Sequence, residues 1–246
     1  MKIINSHPVI AWFSCGCVSA IACYMAITKF NFVRIYYIDT GQEHPDNIRF
    51  LHQCEEWYQL PIRVIKNEKF ADAFDVCEKS RYLNGPSGAR CTLELKKKMR
   101  WKIEDEVGTW HAQVFGFDAT EERRAKRFCE QYPKAKAIFP VCDAKLSKQE
   151  CLALLKKHNI DIPMMYKLGY HNNNCIGCVK GGRGYWARIR KDFPEHFARM
   201  ASLERSIGHS CINGCFLDEL PMDAALQPPI VPSCSLFCEP EFMDIE

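Results

Sequence analysis

The sequence has almost no net charge, only +3 over 246 residues. An excess that small excludes proteins that hold nucleic acid by bulk charge alone. No internal repeat and no low-complexity tract occurs, so stacked-repeat and collagen-like architectures are excluded too. Long apolar runs are also missing. The most hydrophobic stretch, residues 9–30, is broken by Ser14, Gly16, Ser19, Thr28 and Lys29. It reads as strand, turn and helix rather than as a membrane span. The start, Met1-Lys2-Ile3-Ile4-Asn5-Ser6-His7, lacks an apolar segment with a small-residue cleavage site. A cytoplasmic protein with no membrane partner is expected.

What the chain does have is cysteine, fifteen of them, in a background of 47% hydrophobic and 26% charged residues. In a reducing compartment a disulfide framework is disfavoured, and clustered thiols point to metal or redox chemistry. Scattered ones (Cys23, Cys54, Cys77, Cys129, Cys142, Cys151) are expected to pack as small hydrophobes.

Short apolar runs alternate with longer amphipathic ones through the first two-thirds. Strands are expected at residues 9–13, 33–38, 62–65, 112–117 and 137–141, the second being rich in β-branched and aromatic residues. Helical patterns follow Pro45-Asp46 and cover residues 92–106, 121–131 and 147–158. This alternation predicts an α/β fold, a doubly wound and mostly parallel five-stranded sheet flanked by helices. After about residue 165 glycine, asparagine and cysteine punctuate the chain. Residues 1–165 are thus expected as a nucleotide-binding domain and 166–246 as a cysteine-rich extension of helix and loops. One helix is expected in that extension. Asp192 and Glu195 resemble a capping box, Phe197, Met200, Leu203 and Ile207 form a stripe, and Gly208 terminates it.

In an open parallel sheet, ligands sit beyond the carboxyl ends of the strands, near the point where strand order reverses. The first strand ends in Ser14-Cys15-Gly16-Cys17-Val18-Ser19 and runs into a helix. Such a turn aims backbone N–H groups and two hydroxyls at one point, at the positive end of a helix dipole, and suits phosphate or sulfate. The competing reading is an ordinary serine cap. Two further strand ends carry polar groups: Asp39-Thr40-Gly41, and Gly116-Phe117 leading to the basic run that ends at Arg127.

These segments together resemble a known family. Residues 14–19 match in position and length the Ser-Gly-Gly-x-x-Ser PP-loop of ATP pyrophosphatases and of adenylyl-sulfate and phosphoadenylyl-sulfate (PAPS) reductases. Tyr37-Ile38-Asp39-Thr40-Gly41 is similar to their second strand. Pro163-Met164-Met165-Tyr166-Lys167-Leu168-Gly169-Tyr170 looks like their Pro-x-x-Tyr-x-x-Gly-Tyr segment, and Cys175-Ile176-Gly177-Cys178 falls where the reductases have Cys-x-x-Cys. The resemblance runs from residue 9 to about 190. It implies an adenine nucleotide, ATP or an adenylylated sulfate (PAPS or APS), bound by Ser14, Cys15, Gly16, Cys17, Val18 and Ser19. Asp39, Thr40, Gly41, Gly116, Phe117 and Arg127 would help hold it. The chain departs from the pattern where Cys17-Val18 replaces the Lys-Asp of ATP-cleaving loops, which leans towards the sulfonucleotide branch.

Cys175 and Cys178 sit among glycines that allow a tight turn, and two thiolates at that spacing grip one metal ion; the same pair also suits a redox dithiol. Cys91 resembles the region where iron–sulfur reductases carry a Cys-Cys pair followed by lysine, with one of the pair present. The expected set is Cys91, Cys175 and Cys178 with Cys234 or Cys238 around a [4Fe–4S] cluster. Zinc takes the same thiolates. Cys211 and Cys215 are further cysteines of the extension. The resemblance also offers Cys234 as the catalytic thiolate of a sulfonucleotide reductase, although the Glu-Cys-Gly-x-His setting is absent.

Basic residues beside the Cys-x-x-Cys, with Tyr185 and Trp186, suit stacked bases. Three functions follow. One is a sulfonucleotide reductase-like enzyme served by a thioredoxin-like donor. Another is an adenylating sulfurtransferase acting on tRNA or DNA, fed by a cysteine desulfurase and placed in a phage or defence setting. The third is a non-catalytic nucleotide module with structural zinc.

Overall fold

A computed structural model describes residues 2–86 and 88–226. The chain forms two compact units woven from alternating segments. The first takes residues 1–38, 44–65 and 103–173, and the second takes 39–43, 66–102 and 174–246.

The first unit is built on five strands: β1 (Val9–Phe13), β2 (Val33–Asp39), β3 (Ile62–Lys66), β4 (Ala112–Val114) and β5 (Ala137–Ile138). Their order is β3-β2-β1-β4-β5. β1 pairs in parallel with β2 from Val9 opposite Val33 to Phe13 opposite Tyr37, and with β4 from Val9 opposite Ala112. β4 pairs in parallel with β5. A strand flanked on both sides and covered on both faces must be apolar throughout, and every residue of Val-Ile-Ala-Trp-Phe is buried. The one buried polar side chain at the centre is satisfied: Trp12 Nε1 donates to Gln113 Oε1 (2.7 Å) and Gln113 Nε2 to Glu104 Oε1 (2.8 Å).

Both later strands are shorter than expected. β5 stops at Ile138 because Pro140 starts the short helix α6 (Pro140–Asp143), and β4 gives way at Phe115, before Gly116.

The helices of this unit begin with α1 (Cys17–Lys29), which has eight buried residues and packs against β1 and α7 (Lys148–Lys157). α2 (Asn47–Tyr58) follows, with Tyr58 Oη donating to Ala20 O (2.7 Å). α5 (Glu122–Gln131) follows a capping box at Asp118 and Glu121, α7 one at Ser147 and Glu150. α8 (Met164–Lys167) carries Tyr166.

In the second unit, Asp72 caps α3 (Ala73–Ser80), its side chain accepting from Asp75 N–H (2.7 Å). Residues Thr92–Lys97 form a π-helix that runs into α4 (Lys98–Val107), whose last turns belong to the first unit. A helix not expected from the sequence, α9 (Arg183–Asp192), precedes α10 (Pro194–Ile207). The expected capping box at Asp192 is not formed. α9 claims Asp192 as its last residue, and Phe193 turns the chain with no side-chain cap. Pro194 and Gly208, the latter at φ +79°, bound α10 as expected. Glu204, fully buried, accepts from Cys211 N–H (2.5 Å) and Leu217 N–H (2.6 Å) and so fastens the chain after α10.

Among the described residues no helix is long and apolar enough to cross a membrane. Cys23, Cys54, Cys77, Cys142 and Cys151 are buried, but Cys129 is exposed on α5. It follows the basic face of that helix rather than the apolar one.

Candidate nucleotide loop and cysteine pocket

The chain crosses from β1 to the N-terminus of α1 at residues 14–16, and β4 ends beside it. This is where strand order reverses, with β2 and β3 on one side of β1 and β4 and β5 on the other. The loop closes on a single hydroxyl. Ser19 Oγ accepts from Ser14 N–H (3.0 Å) and Ser14 Oγ (2.9 Å), and donates to Gly16 O (2.9 Å). The serines are therefore spent on shaping the loop, and the N-cap position of α1 is Gly16, which has no side chain to cap with. A 13-residue helix begins here behind Gly16, which offers no capping side chain, and a helix start of this kind favours an anion.

Close approach is enforced from β4. A Cβ on Gly116 would lie 2.5 Å from Ser19 Cα and 2.6 Å from Ser19 N, so only glycine lets the strand end touch the loop. Phe117 is buried against Phe139, ring centroids 4.9 Å apart. Arg127, by contrast, is exposed on α5, and it is Arg124 that lies over the Phe117 ring, at 4.6 Å.

Three residues outside the expected set shape the loop. Tyr166 Oη accepts from Cys17 N–H (3.3 Å) and lies 3.6 Å from Cys17 Sγ. Lys148, on α7, donates to His171 O (3.0 Å) and Asn172 Oδ1 (2.5 Å), and its charge acts on Cys17. Burial lowers the Lys148 pKa, opposed first by Cys17. The Cys17 thiol is raised by burial, with the Tyr166 hydroxyl and Lys148 pulling the other way. It is held as a neutral thiol at neutral pH, not as a nucleophile. Asn173 Nδ2 donates to Cys15 O (2.7 Å) and Asn47 Oδ1 (2.8 Å). Cys15 itself has φ +54°, a left-handed backbone that costs a residue with a Cβ roughly 1–2 kcal/mol.

Asp39, Thr40 and Gly41 belong to the second unit. Asp39 pairs with Lys66 (2.7 Å) and accepts from Gly41 N–H (2.8 Å). Gly41 has φ +71°, and a Cβ there would fall 1.9 Å from Ala71 O. Thr40 is not aimed at solvent: its Oγ1 lies 3.1 Å from Cys175 Sγ. Gln42 completes the grip on the cysteine loop, donating from Nε2 to Ile176 O (2.6 Å) while its Oε1 accepts from Phe74 N–H (3.1 Å).

Cys91, Cys175 and Cys178 line one pocket together with Thr40, Thr92 and Lys96. Its cavity is about 20 Å³, room for about one water molecule. The turn at Gly177 (φ +72°) is pressed against the Trp186 ring, and Tyr185 Oη binds its backbone three times. It accepts from Gly177 N–H and Cys178 N–H (3.1 Å each) and donates to Cys175 O (3.0 Å). Tyr185 and Trp186 are thus core residues, 5% and 0% exposed, and are not available to stack on bases. Their spacing with Ile189 along α9 was the available signal.

In kind, three thiols around one pocket suit a thiolate-bound metal. In geometry, no group of three or more His, Cys, Asp or Glu side chains among the described residues is arranged to hold an ion. The two remaining ligand candidates, Cys234 and Cys238, lie outside the described residues, as does the expected catalytic role of Cys234.

An all-parallel, doubly wound sheet with a loop and helix start at its switch point defines an open α/β protein, the architecture that places ligands at that point. The chain belongs to the phosphoadenosine phosphosulfate reductase domain family, whose model matches residues 8–182. Among curated proteins it is 20% identical over 212 residues to an uncharacterised protein of Methanocaldococcus jannaschii, covering 83% of this chain and 49% of that one. It therefore spans about half the length of that relative. The fold is also that of a phosphoadenylyl-sulfate reductase from Candida auris solved with phosphate. That likeness has a TM-score of 0.50 at 13% identity, over 70% of this chain and 82% of the other. A U34-tRNA thiolase from Methanococcus maripaludis, solved with its [4Fe–4S] cluster, aligns at a TM-score of 0.44 and 15% identity, over 85% and 75% of the two chains.

Proposed function

We propose that this protein is an enzyme of sulfur chemistry that binds ATP or an adenylylated sulfate at residues 14–19 and acts in sulfur transfer or reduction. The observation that carries the reading is the loop itself. Its serines close on each other, α1 starts behind a glycine N-cap, and Gly116 admits the strand end to van der Waals contact. Family membership supplies the chemical class. The buried Cys17 in place of a lysine favours holding a nucleotide over cleaving it between phosphates, because residues 14–19 themselves carry no cation to take up charge on a departing pyrophosphate.

Cys91, Cys175 and Cys178, with Cys234 or Cys238, would hold a [4Fe–4S] cluster, which when bound supplies a charged, thiolate-ligated centre for sulfur or electron handling. The chain's own part is to bind and orient the nucleotide and to keep the cysteine turn rigid through Tyr185, Trp186 and Gln42. A nucleic-acid substrate draws less support, since the aromatic pair that suited stacked bases is buried.

The test is anaerobic purification with iron, sulfide and zinc analysis, then incubation with ATP or PAPS. Sulfite released from PAPS supports the reductase branch, and pyrophosphate released from ATP the sulfurtransferase. A colourless protein with one zinc and no product from either nucleotide overturns both.

A further inference from the structure

Cys15 sits where the resembling loops carry glycine, yet it keeps a left-handed backbone, φ +54°, with its side chain fully buried. Glycine holds such a conformation at no steric cost, whereas a residue with a Cβ must be held there by its surroundings. The surroundings that do so are a pair of asparagines. Asn173 Nδ2 donates to Cys15 O (2.7 Å), and Cys15 Sγ donates to Asn47 O (3.7 Å). Asn173 Nδ2 also binds Asn47 Oδ1 (2.8 Å), so the two asparagines brace each other.

The carbonyl of Cys15 can only accept, which fixes the amide nitrogen of Asn173 towards it and turns Oδ1 away. That Oδ1 is buried and has no partner among the described residues, in a residue 7% exposed. A buried acceptor left unsatisfied is a standing cost, and it is tolerated where the other end of the group is needed.

We propose that Asn173 is a positioning residue for the nucleotide loop, holding residues 14–17 in the anion-accepting shape by restraining the strained backbone of Cys15. The inference deepens the functional reading above and rests on it for the identity of the ligand. It makes a specific demand: once residue 15 is glycine, the restraint becomes redundant.

The experiment uses four full-length proteins, wild type, Asn173→Ala, Cys15→Gly and the double variant. Each is measured for amide hydrogen exchange across residues 14–19 and for affinity towards ATP and PAPS by calorimetry. Asn173→Ala should raise exchange at residues 14–17 and weaken nucleotide binding by about tenfold relative to wild type, and Cys15→Gly serves as the reference for the double variant. In the glycine background the Asn173 effect on both readouts should shrink below about threefold, as coupling through one shared residue requires. Equal losses in both backgrounds would show a merely structural asparagine and overturn the proposal, as would unchanged exchange in Asn173→Ala. Should Asn173→Ala fail to fold, recovery of folding on adding Cys15→Gly supports the restraint and continued failure overturns it. Wild-type protein that binds neither nucleotide overturns the functional reading, and the exchange arm then decides the restraint alone.

Discussion

At the scale of single residues, the loop inverts the usual expectation about glycine. Gly16 lies inside the loop, yet a Cβ there would meet Tyr166 Oη at 3.4 Å and Ser14 Oγ at 3.5 Å, and its backbone (φ −95°) suits any residue. Gly116 lies outside it, on the neighbouring strand end, where a Cβ would meet three Ser19 atoms, two of them backbone, at 2.5–2.8 Å. Neither the backbone of α1 nor that of β4 can step aside cheaply in a close-packed interior. Gly116→Ala should therefore cost about 1–3 kcal/mol and weaken ATP or PAPS binding, while Gly16→Ala should change stability by less than about 1 kcal/mol. Urea unfolding of the two variants gives the comparison, and equal costs would refute this account of the contact.

At the scale of elements, the strands were readable because a parallel sheet covered on both faces needs apolar runs, and residues 9–13 are an unbroken one while 33–38 are interrupted only by the exposed Arg34. The fifth was overextended because Pro140 was read as part of an apolar run, when its ring starts a helix. α9 was missed for a similar reason: Gly181, Gly182 and Gly184 were read as loop punctuation, whereas Gly182 is the cap and Tyr185, Trp186 and Ile189 are the buried face. The loop at 14–19 could be found by its place after β1. Asn173 could not, because nothing in an Asn-Asn-Asn run says which side chain turns inward.

α9 earns its place through one hydroxyl. Tyr185→Phe removes the acceptor of two buried N–H groups and the donor to Cys175 O, so it should destabilise by about 2 kcal/mol. Alkylation of Cys175 and Cys178 by iodoacetamide, followed by mass spectrometry, should also speed up as the turn loosens. An unchanged melting temperature with unchanged labelling would mean that the turn is held by its glycine and Trp186 alone.

At the scale of the whole molecule, the chain passes between its two units at 38/39, 43/44, 65/66, 102/103 and 173/174. The nucleotide loop and its supports Asn47, Gly116, Lys148, Tyr166 and Asn173 all fall in the first unit. Thr40, Gln42, Cys91, Cys175 and Cys178 all fall in the second. Each set is thus held by contacts within its own unit, and residues with no shared partner act additively. Ser14→Ala removes the hydroxyl that donates to Ser19 and leaves every contact of the cysteine pocket intact. It should weaken nucleotide binding several-fold while the visible absorption and iron content of anaerobically purified protein stay at wild-type values. Cys175→Ser removes a thiol from the pocket and leaves the loop intact, so it should bleach the protein and leave nucleotide affinity within about twofold. The double variant should show the sum of the two losses. If Ser14→Ala bleached the protein, or if Cys175→Ser abolished nucleotide binding, the two chemistries would share determinants, and the separation inferred from their contacts would be wrong.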